Sequence, residues 1–430
     1  MSGVAPRMNP DRINATYWIE TPLDPARVAE VLAGEQSSGT FVRVPGETEE
    51  LRARSRARVE SIEELPSVAT PSLDSAWLVR QGHAGPYRRA LLTVSFPVDN
   101  IGTNLTTLAA TVAGNLYDLG EATGLRLLSL SLPEAFRKRF AMPTQGIAGT
   151  RTLAGVFDRP LLGTIIKPNV GMSAEETGEL VGELCAAGLD FIKDDEVCAD
   201  PVAAPIADRI RAVMARVRRH QDRTGRSVMV AFNISDETDA MRRHAELIAA
   251  EGGTCAMVSL NWCGLAGVQT LRRATDLVIH GHRNGFGMLS RHAALGMAAP
   301  AYQTLYRLAG IDHMHVHGLG GKFADADEDV AAAARDCLTP LAGHHDRVMP
   351  AFSSGQWAGT LPMTYAALQS PDFLFLAGGG IIAHPNGPSA GVKSLLDAWN
   401  AVKSGRALDA APSSELKRAL EFFGASKRNG

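Results

Sequence analysis

From about position 161 onward, short apolar runs rich in β-branched residues alternate with stretches where apolar residues recur every three to four positions. A short, continuously apolar run fits a strand buried on both faces, and the longer period fits an amphipathic helix. This pattern predicts eight strands, at 162–167, 190–195, 227–234, 256–261, 277–282, 313–317, 347–353 and 373–377. It predicts helices at 174–187, 204–224, 239–250, 268–274, 301–309, 328–341, 361–369 and 390–403. The first helix opens on Ser173 with Glu176 three residues on, a capping box that satisfies two orphan amides. Eight β/α units in roughly 250 residues is the count of a (β/α)8 barrel. An open doubly wound sheet would carry a GxGxxG turn after its first strand, and none stands there. The chain ends soon after the 390–403 helix, with no evident latch segment.

The preceding stretch has a different texture. Strands are predicted at 13–21, 89–99 and 125–132, with helices at 24–33, N-capped by Asp24, and 105–119. The expectation is a smaller α+β, ferredoxin-like domain over 1–150 and a barrel domain over 151–430. A chain of 430 residues is long enough for that pair.

Composition narrows the partners. With 45% hydrophobic and 21% charged residues the chain can bury a large core. A net charge of −3 supplies no field for nucleic acid or an anionic membrane. The basic run 216–220 reads as a solvated helix face. The five cysteines are odd in number and form no CxxC pair, which points to a reducing cytoplasm rather than a disulfide framework. No apolar stretch reaches membrane-spanning length, and the first twenty residues lack the apolar core of a secretion signal.

In a barrel, chemistry sits at the C-terminal ends of the strands. The polar residues predicted there are Lys167, Lys193 with Asp195 and Glu196, Asn233, Asn261, His282 with Arg283, His315 with Lys322 beyond it, Ser353, and Gly378–Gly380. Alternation along a strand puts Lys193 and Asp195 on one face and Asp194 on the other. Two carboxylates at a barrel mouth suit Mg²⁺, a hard cation that takes oxygen ligands. Lys193 joins such a site only if CO₂ has converted its amine to a carbamate, an anionic oxygen donor. The other reading of the same spacing is an inward Lys–Asp salt bridge. Lys167, desolvated near other cations, suits a proton-transferring base, or else a phosphate or salt-bridge contact.

Histidines at alternate positions, 280 and 282, then 313, 315 and 317, would suit zinc, but the carboxylates already nominate a hard metal. His280, His313 and His317 read as packing or loop residues. Arg283 suits bidentate contact with a phosphate. The glycine-rich loop 318–322 reads as a mobile lid carrying Lys322, or as a plain connection. The segments at 353–355 and 378–380 follow strands seven and eight, where barrels commonly hold phosphate.

These motifs resemble the RuBisCO large-chain family and its non-carboxylating members, the RuBisCO-like proteins. The resemblance rests on GTIIKPNVGMS (163–173) and GLDFIKDDE (188–196). It continues through IHGHR (279–283), HMH…GK (313–322), FSSG (352–355) and LAGGG…HP (376–385). In the small domain GEQSSGTF (34–41) and AGNLY (113–117) match as well. The resemblance implies that Lys193 is carbamylated and that Asp195 and Glu196 complete a Mg²⁺ site. It implies that Lys167 handles the enolisation proton and Lys322 is the lid lysine. His282, Arg283 and His315 would line the substrate, with Arg283 and His315 near one phosphate. Asn169, beside Lys167, falls among the substrate contacts, and Ser353, Gly355, Gly378 and Gly379 would hold the polar end or a phosphate. Glu35, Thr40 and Asn115 would come from a partner subunit, which implies a homodimer with shared active sites.

The departures are specific. Asn169 replaces the second lysine of the family's KPK segment, and the lid reads Gly318-Leu319-Gly320 in place of Thr-Val-Val. Phe41 replaces a tryptophan, Ser354 a glycine and Phe286 a histidine. They leave the metal and proton-transfer residues in place and set carbon fixation aside. The expected activity is Mg²⁺-dependent enolisation of a phosphorylated keto-sugar or keto-acid. The outcome would be decarboxylation, or carboxyl transfer with hydrolysis, on a 3-oxo sugar-acid phosphate such as 3-oxo-isoapionate 4-phosphate. Asn115 favours this branch, since the methionine-salvage enolases resemble a pattern with a lysine near that position. The alternatives are a 2,3-diketo-5-methylthiopentyl-1-phosphate enolase, a methylthioribulose-1-phosphate isomerase, or a non-catalytic binding protein.

Overall fold

Strands whose every residue is buried recur through the second part of the chain, as parallel pairing under a layer of helices requires. The computed structural model describes residues 11–39, 44–341 and 344–426. Within them the first strands are β1 (Arg12–Thr21), β2 (Arg58–Val68), β3 (Tyr87–Pro97), β4 (Gly124–Ser131), β5 (Leu161–Ile165), β6 (Phe191–Lys193) and β7 (Met229–Asn233). They are followed by β8 (Cys255–Ser259), β9 (Val278–His282), β10 (Leu295–Met297), β11 (His313–His317), β12 (Met349–Phe352) and β13 (Leu374–Leu376).

The chain divides into two compact units, one of residues 1–141 with 285–309, the other of 142–284 with 310–430. In the first, a sheet of order β10-β4-β1-β3-β2 follows the β-α-β-β-α-β sequence of a ferredoxin-like fold, extended by β10. β1 runs antiparallel to β3 and β4, and β10 joins β4 in parallel. Alternate residues of β1, from Ile13 through Ala15 and Tyr17 to Ile19, are buried. The Tyr17 hydroxyl donates to Val112 O at 2.8 Å, tying the sheet to helix Leu105–Ala113.

The second unit is a closed parallel barrel in the order β11-β12-β13-β5-β6-β7-β8-β9. Its eight strands are those the apolar runs predict, β11 with the same bounds and the others somewhat shorter. Leu161, Phe191, Met229, Ala231, Met257, Met349, Ala351 and Leu374 belong to one core cluster that also takes in Ile147 and Ala154 of helix Gly146–Ala154. Asp312, fully buried ahead of β11, accepts from the amides of Gln145, Gly146 and Ile279 and from Arg272. That one carboxylate ties helix Gly146–Ala154 to the strand starts.

Several elements differ from expectation. β2 was not expected, because RVESIEELPSV has no apolar alternation; it is an edge strand exposed along most of its length. Charged side chains are what an edge strand carries to deter further pairing. The 105–119 helix ends at Ala113 and gives way to the 3-10 turn Asn115–Asp118, since Gly114 leaves helical geometry. The 268–274 helix extends back to Leu260, with a break at Gly264. Asp24 stands at the N-cap of Pro25–Glu35, but its side chain makes no capping bond. The capping box at Ser173 is present in both directions. The chain does not stop after Pro388–Lys403: a further helix, Ser414–Ser426, packs on it and on the turn Ala358–Thr360.

Candidate active site

Strand β6 ends at Lys193, so the alternation that would set Lys193 beside Asp195 stops two residues short. Three consecutive acidic residues then take three separate positions. Asp194 turns into the barrel wall, where its Oδ2 accepts from the Asn233 amide at 2.9 Å and from the Arg209 guanidinium at 3.2 Å. Burial raises the Asp194 pKa, with Arg209 opposing the rise. Asp195 Oδ2 accepts from Lys167 Nζ at 2.7 Å. Glu196 Oε2 lies 3.7 Å from His282 Nε2.

The salt bridge that spacing offered to Lys193 therefore falls to Lys167. Lys193 is 1% exposed, and its Nζ donates to Asp194 O at 2.8 Å and approaches Met257 Sδ at 3.5 Å. It makes no ion pair among the described residues. Burial lowers its pKa although Glu196, Asp195 and Asp194 pull the other way. Lys167 Nζ, more open to solvent, also donates to Asn169 Oδ1 at 2.6 Å.

Asn233, at the end of β7, fixes the acidic segment from behind. Its Nδ2 donates at 3.1 Å to both Asp195 O and Glu196 O, while its Oδ1 accepts from the Ser235 hydroxyl and amide. Whether these residues suit a divalent cation is a question of donors. Among the described residues no three His, Cys, Asp or Glu side chains gather at metal-binding distance. Asp195 and Glu196 supply two carboxylates, and a third anionic oxygen needs Lys193 as a carbamate. A buried amine held toward its neutral form is the form that adds CO₂. The set thus fits Mg²⁺ with a carbamylated Lys193.

His282 closes β9, and its Nδ1 accepts from the Asn284 amide at 3.3 Å. That assigns the proton to Nε2, the nitrogen facing Glu196. His315 Nε2 is 2.7 Å from the Ser353 hydroxyl, and the two rings lie 4.4 Å apart. Burial drives both pKa values well below the ordinary histidine value. Both imidazoles are neutral donors and acceptors at neutral pH.

Behind them His280 and His313 lie in the barrel core, 3.4 Å apart at Nδ1, with His313 Nε2 2.9 Å from Thr150 Oγ1. These two are packing residues, as expected. His317 is not. Its Nδ1 meets Asp325 Oδ2 at 2.6 Å, and Asp325 also takes Arg283 at 3.2 Å.

The loop after β11 begins at Gly318, where a Cβ would stand 2.0 Å from Gln356 Nε2, so only glycine fits. Gln356 donates to Leu319 O and Ser354 O, each at 3.1 Å, and anchors the base of the loop. Lys322 is exposed, with its ammonium 5.4 Å over the Phe323 ring. Ser354, where the family has glycine, keeps a left-handed backbone at φ +74°, beside Gly355 at φ +71°. Gly378 and Gly379 open the short helix Gly378–Ile382 after β13, and nothing lies within 4 Å of a Cβ built on Gly379.

Lys167, Asn169, Lys193, Asp195, Glu196, His282, Arg283, His315, Lys322, Ser353, Gly355, Gly378 and Gly379 thus all stand at or beyond the C-terminal ends of barrel strands. Glu35, at the end of helix Pro25–Glu35, and Asn115 are exposed residues of the other unit. Thr40 lies outside the described residues. Phe286 is buried against Tyr302 in the first unit. A cavity of about 510 Å³ lies at the opposite ends of β8 and β9, lined by residues such as Gln145, Glu246, Arg273 and Asp276, and holds none of the site residues.

Residues 146–423 match the ribulose bisphosphate carboxylase large chain, catalytic domain, and residues 8–136 match its N-terminal domain. A 3-oxo-isoapionate-4-phosphate transcarboxylase/hydrolase of Xanthobacter autotrophicus is 50% identical over 418 residues, 96% of this chain and 99% of that one. A 3-oxo-isoapionate-4-phosphate decarboxylase of Rhizobium rhizogenes is 42% identical over 391 residues, 90% of this chain and 92% of that one. The crystal structure of a rubisco-like protein from Burkholderia fungorum is 62% identical with a TM-score of 0.91, covering 96% of this chain and all of that one.

Proposed function

The chain belongs to the RuBisCO large-chain family, as a RuBisCO-like protein, and on that premise we propose that it is a Mg²⁺-dependent enzyme of 3-oxo sugar-acid phosphates. The substrate class is that of 3-oxo-isoapionate 4-phosphate, and the chemistry is loss or transfer of a carboxyl group through an enolate. The observation that carries the reading is the contrast between two lysines. Lys167 holds the ion pair with Asp195, while Lys193 is buried beside the same acidic segment with no ion pair among the described residues.

Lys193 as a carbamate, with Asp195 and Glu196, would hold Mg²⁺, which when bound acts as a Lewis acid on the substrate's oxygens. The remaining work belongs to the chain. Lys167 Nζ carries the mobile proton and exchanges it with the carbon next to the ketone. Asp195 and Asn169 orient that ammonium, and Asn233 fixes the backbone behind it. His282 presents Nε2–H as a neutral donor to a substrate hydroxyl or carbonyl. His315, braced by Ser353, and Arg283 line the same end. Lys322 on the lid, with Ser353, Gly355, Gly378 and Gly379, holds the phosphate and excludes water.

Glu35, Thr40 and Asn115 complete the site from a partner subunit, so the unit of activity is a homodimer. The compartment is the cytoplasm, in keeping with five free cysteines. Among the described residues no helix is long and apolar enough to cross a membrane.

The test is turnover of 3-oxo-isoapionate 4-phosphate, with deuterium incorporation from solvent, in the presence and absence of Mg²⁺ and bicarbonate. Consumption that requires both supports the reading. Turnover of a 2,3-diketo-5-methylthiopentyl 1-phosphate instead replaces it with the enolase. Absence of exchange into any phosphorylated keto-acid or ketose makes this a binding protein.

A further inference from the structure

Arg283 directly follows β9, with its side chain 3% exposed. Its Nη2 donates to Val316 O at 2.9 Å and to Asp325 Oδ2 at 3.2 Å. Asp325 comes from the lid, just beyond Lys322, and the same Oδ2 meets His317 Nδ1 at 2.6 Å. One lid carboxylate thus bridges the ends of β9 and β11. His317 holds a left-handed backbone at φ +68°, and its ring lies 4.6 Å from Phe323, a second contact between this loop and the end of β11.

An arginine at a barrel mouth suits a phosphate because its planar fork matches two anionic oxygens. Here a carboxylate already holds one nitrogen of that fork, Nη2. A phosphate arriving at Arg283 would be placed against Asp325, and two anions at contact distance repel strongly where water is scarce. Lys322, on the same loop, makes no ion pair among the described residues, so a cation for one phosphate remains.

We propose that Asp325 is a specificity-determining residue. It occupies Arg283 as an internal anion, so the site accepts a substrate with one phosphate and rejects one with a second phosphate at the Arg283 end. The inference rests on the reading of this barrel mouth as a site for a phosphorylated keto-acid. Replacing the carboxylate frees the guanidinium and opens that end to a bisphosphate.

The experiment compares wild type with Asp325→Ala and the near-isosteric Asp325→Asn by calorimetric titration in Mg²⁺ and bicarbonate. The probes are a pentulose 1,5-bisphosphate and the matching monophosphate. The wild type is expected to bind the monophosphate more tightly. Both variants are expected to tighten bisphosphate binding by about tenfold or more, and to change monophosphate binding by less than about threefold. If Asp325→Ala does not fold, Asp325→Asn decides. Variants that bind the bisphosphate no better than wild type overturn the proposal, as does a wild type that already prefers the bisphosphate. Deuterium exchange into a 3-oxo sugar-acid phosphate by the wild type is read alongside. Its absence sinks the proposed function, whereas exchange with unaltered bisphosphate affinity sinks only the role of Asp325.

Discussion

A lysine buried at a barrel mouth either neutralises a carboxylate or gives up its proton. Lys193 has no carboxylate within ion-pair distance among the described residues, and burial holds its amine toward the neutral form. Lys193→Ala and Lys193→Arg are each expected to cut Mg²⁺-dependent exchange by roughly 10²–10⁴-fold, the worth of several kcal/mol of Lewis-acid assistance. Exchange that survives intact in either variant removes the carbamate from the mechanism. Lys167→Met is expected to lower kcat by roughly 10²–10⁴-fold while leaving Mg²⁺ binding in place, since its task is the proton. A Lys167→Met protein that has lost Mg²⁺ binding, followed by Mn²⁺ paramagnetic resonance, would assign Lys167 to holding Asp195 instead. At this scale the sequence yields the residue types with chemistry at strand ends. It does not yield Asp325 or Arg209, since a carboxylate in a loop and an arginine in a helix look like solvated charges until their partners are known. Asn233 was visible as a strand-end polar residue, but its hold on the backbone of Asp195 and Glu196 was not.

Elements declare themselves through their apolar rhythm, and those without one stay hidden. The barrel strands are short runs, buried throughout except at the end of β11, and mostly apolar, so all eight are legible. β2 was not, because an edge strand needs little apolar surface and favours charge. The final helix, Ser414–Ser426, lies beyond the last predicted helix at 390–403. The joint between the barrel floor and helix Gly146–Ala154 depends on Asp312 and Arg272, which sit 0% and 5% exposed. Asp312→Ala strands a buried guanidinium and three backbone amides, and is expected to cost about 3–5 kcal/mol in urea unfolding. A loss below about 1 kcal/mol would mean that water replaces the carboxylate. On the exposed start of helix Ala174–Ala186, Ser173→Ala removes one half of the capping box, for an expected loss of about 1 kcal/mol.

Over the whole molecule, the pH dependence of stability follows from histidines stored neutral. His280, His282, His313 and His315 all have pKa values lowered by burial, that of His313 to about 3. An unfolded chain takes up protons below about pH 6.5, and the native barrel does not. The associated stability is complete above that pH and is lost as pH falls toward the folded values. Each such histidine adds about 1.4 kcal/mol per pH unit to the acid-side slope. His313→Asn is expected to reduce that slope by the share of one histidine, measured by urea unfolding between about pH 5 and 7.5. An unchanged slope would mean that His313 titrates normally in the native state.

By itself the sequence determined the barrel, the small α+β domain ahead of it and the order of reactive residues around the mouth. It could do so because burial on both faces imposes continuous apolar runs, and because chemistry must stand where those runs end. Only the tertiary structure decided which charges pair. It gave Asp195 to Lys167, Asp194 to Arg209 and Arg283 to Asp325. Such pairing depends on distances between strand ends far apart in the chain. The local pattern of apolar and polar positions carries no record of those distances.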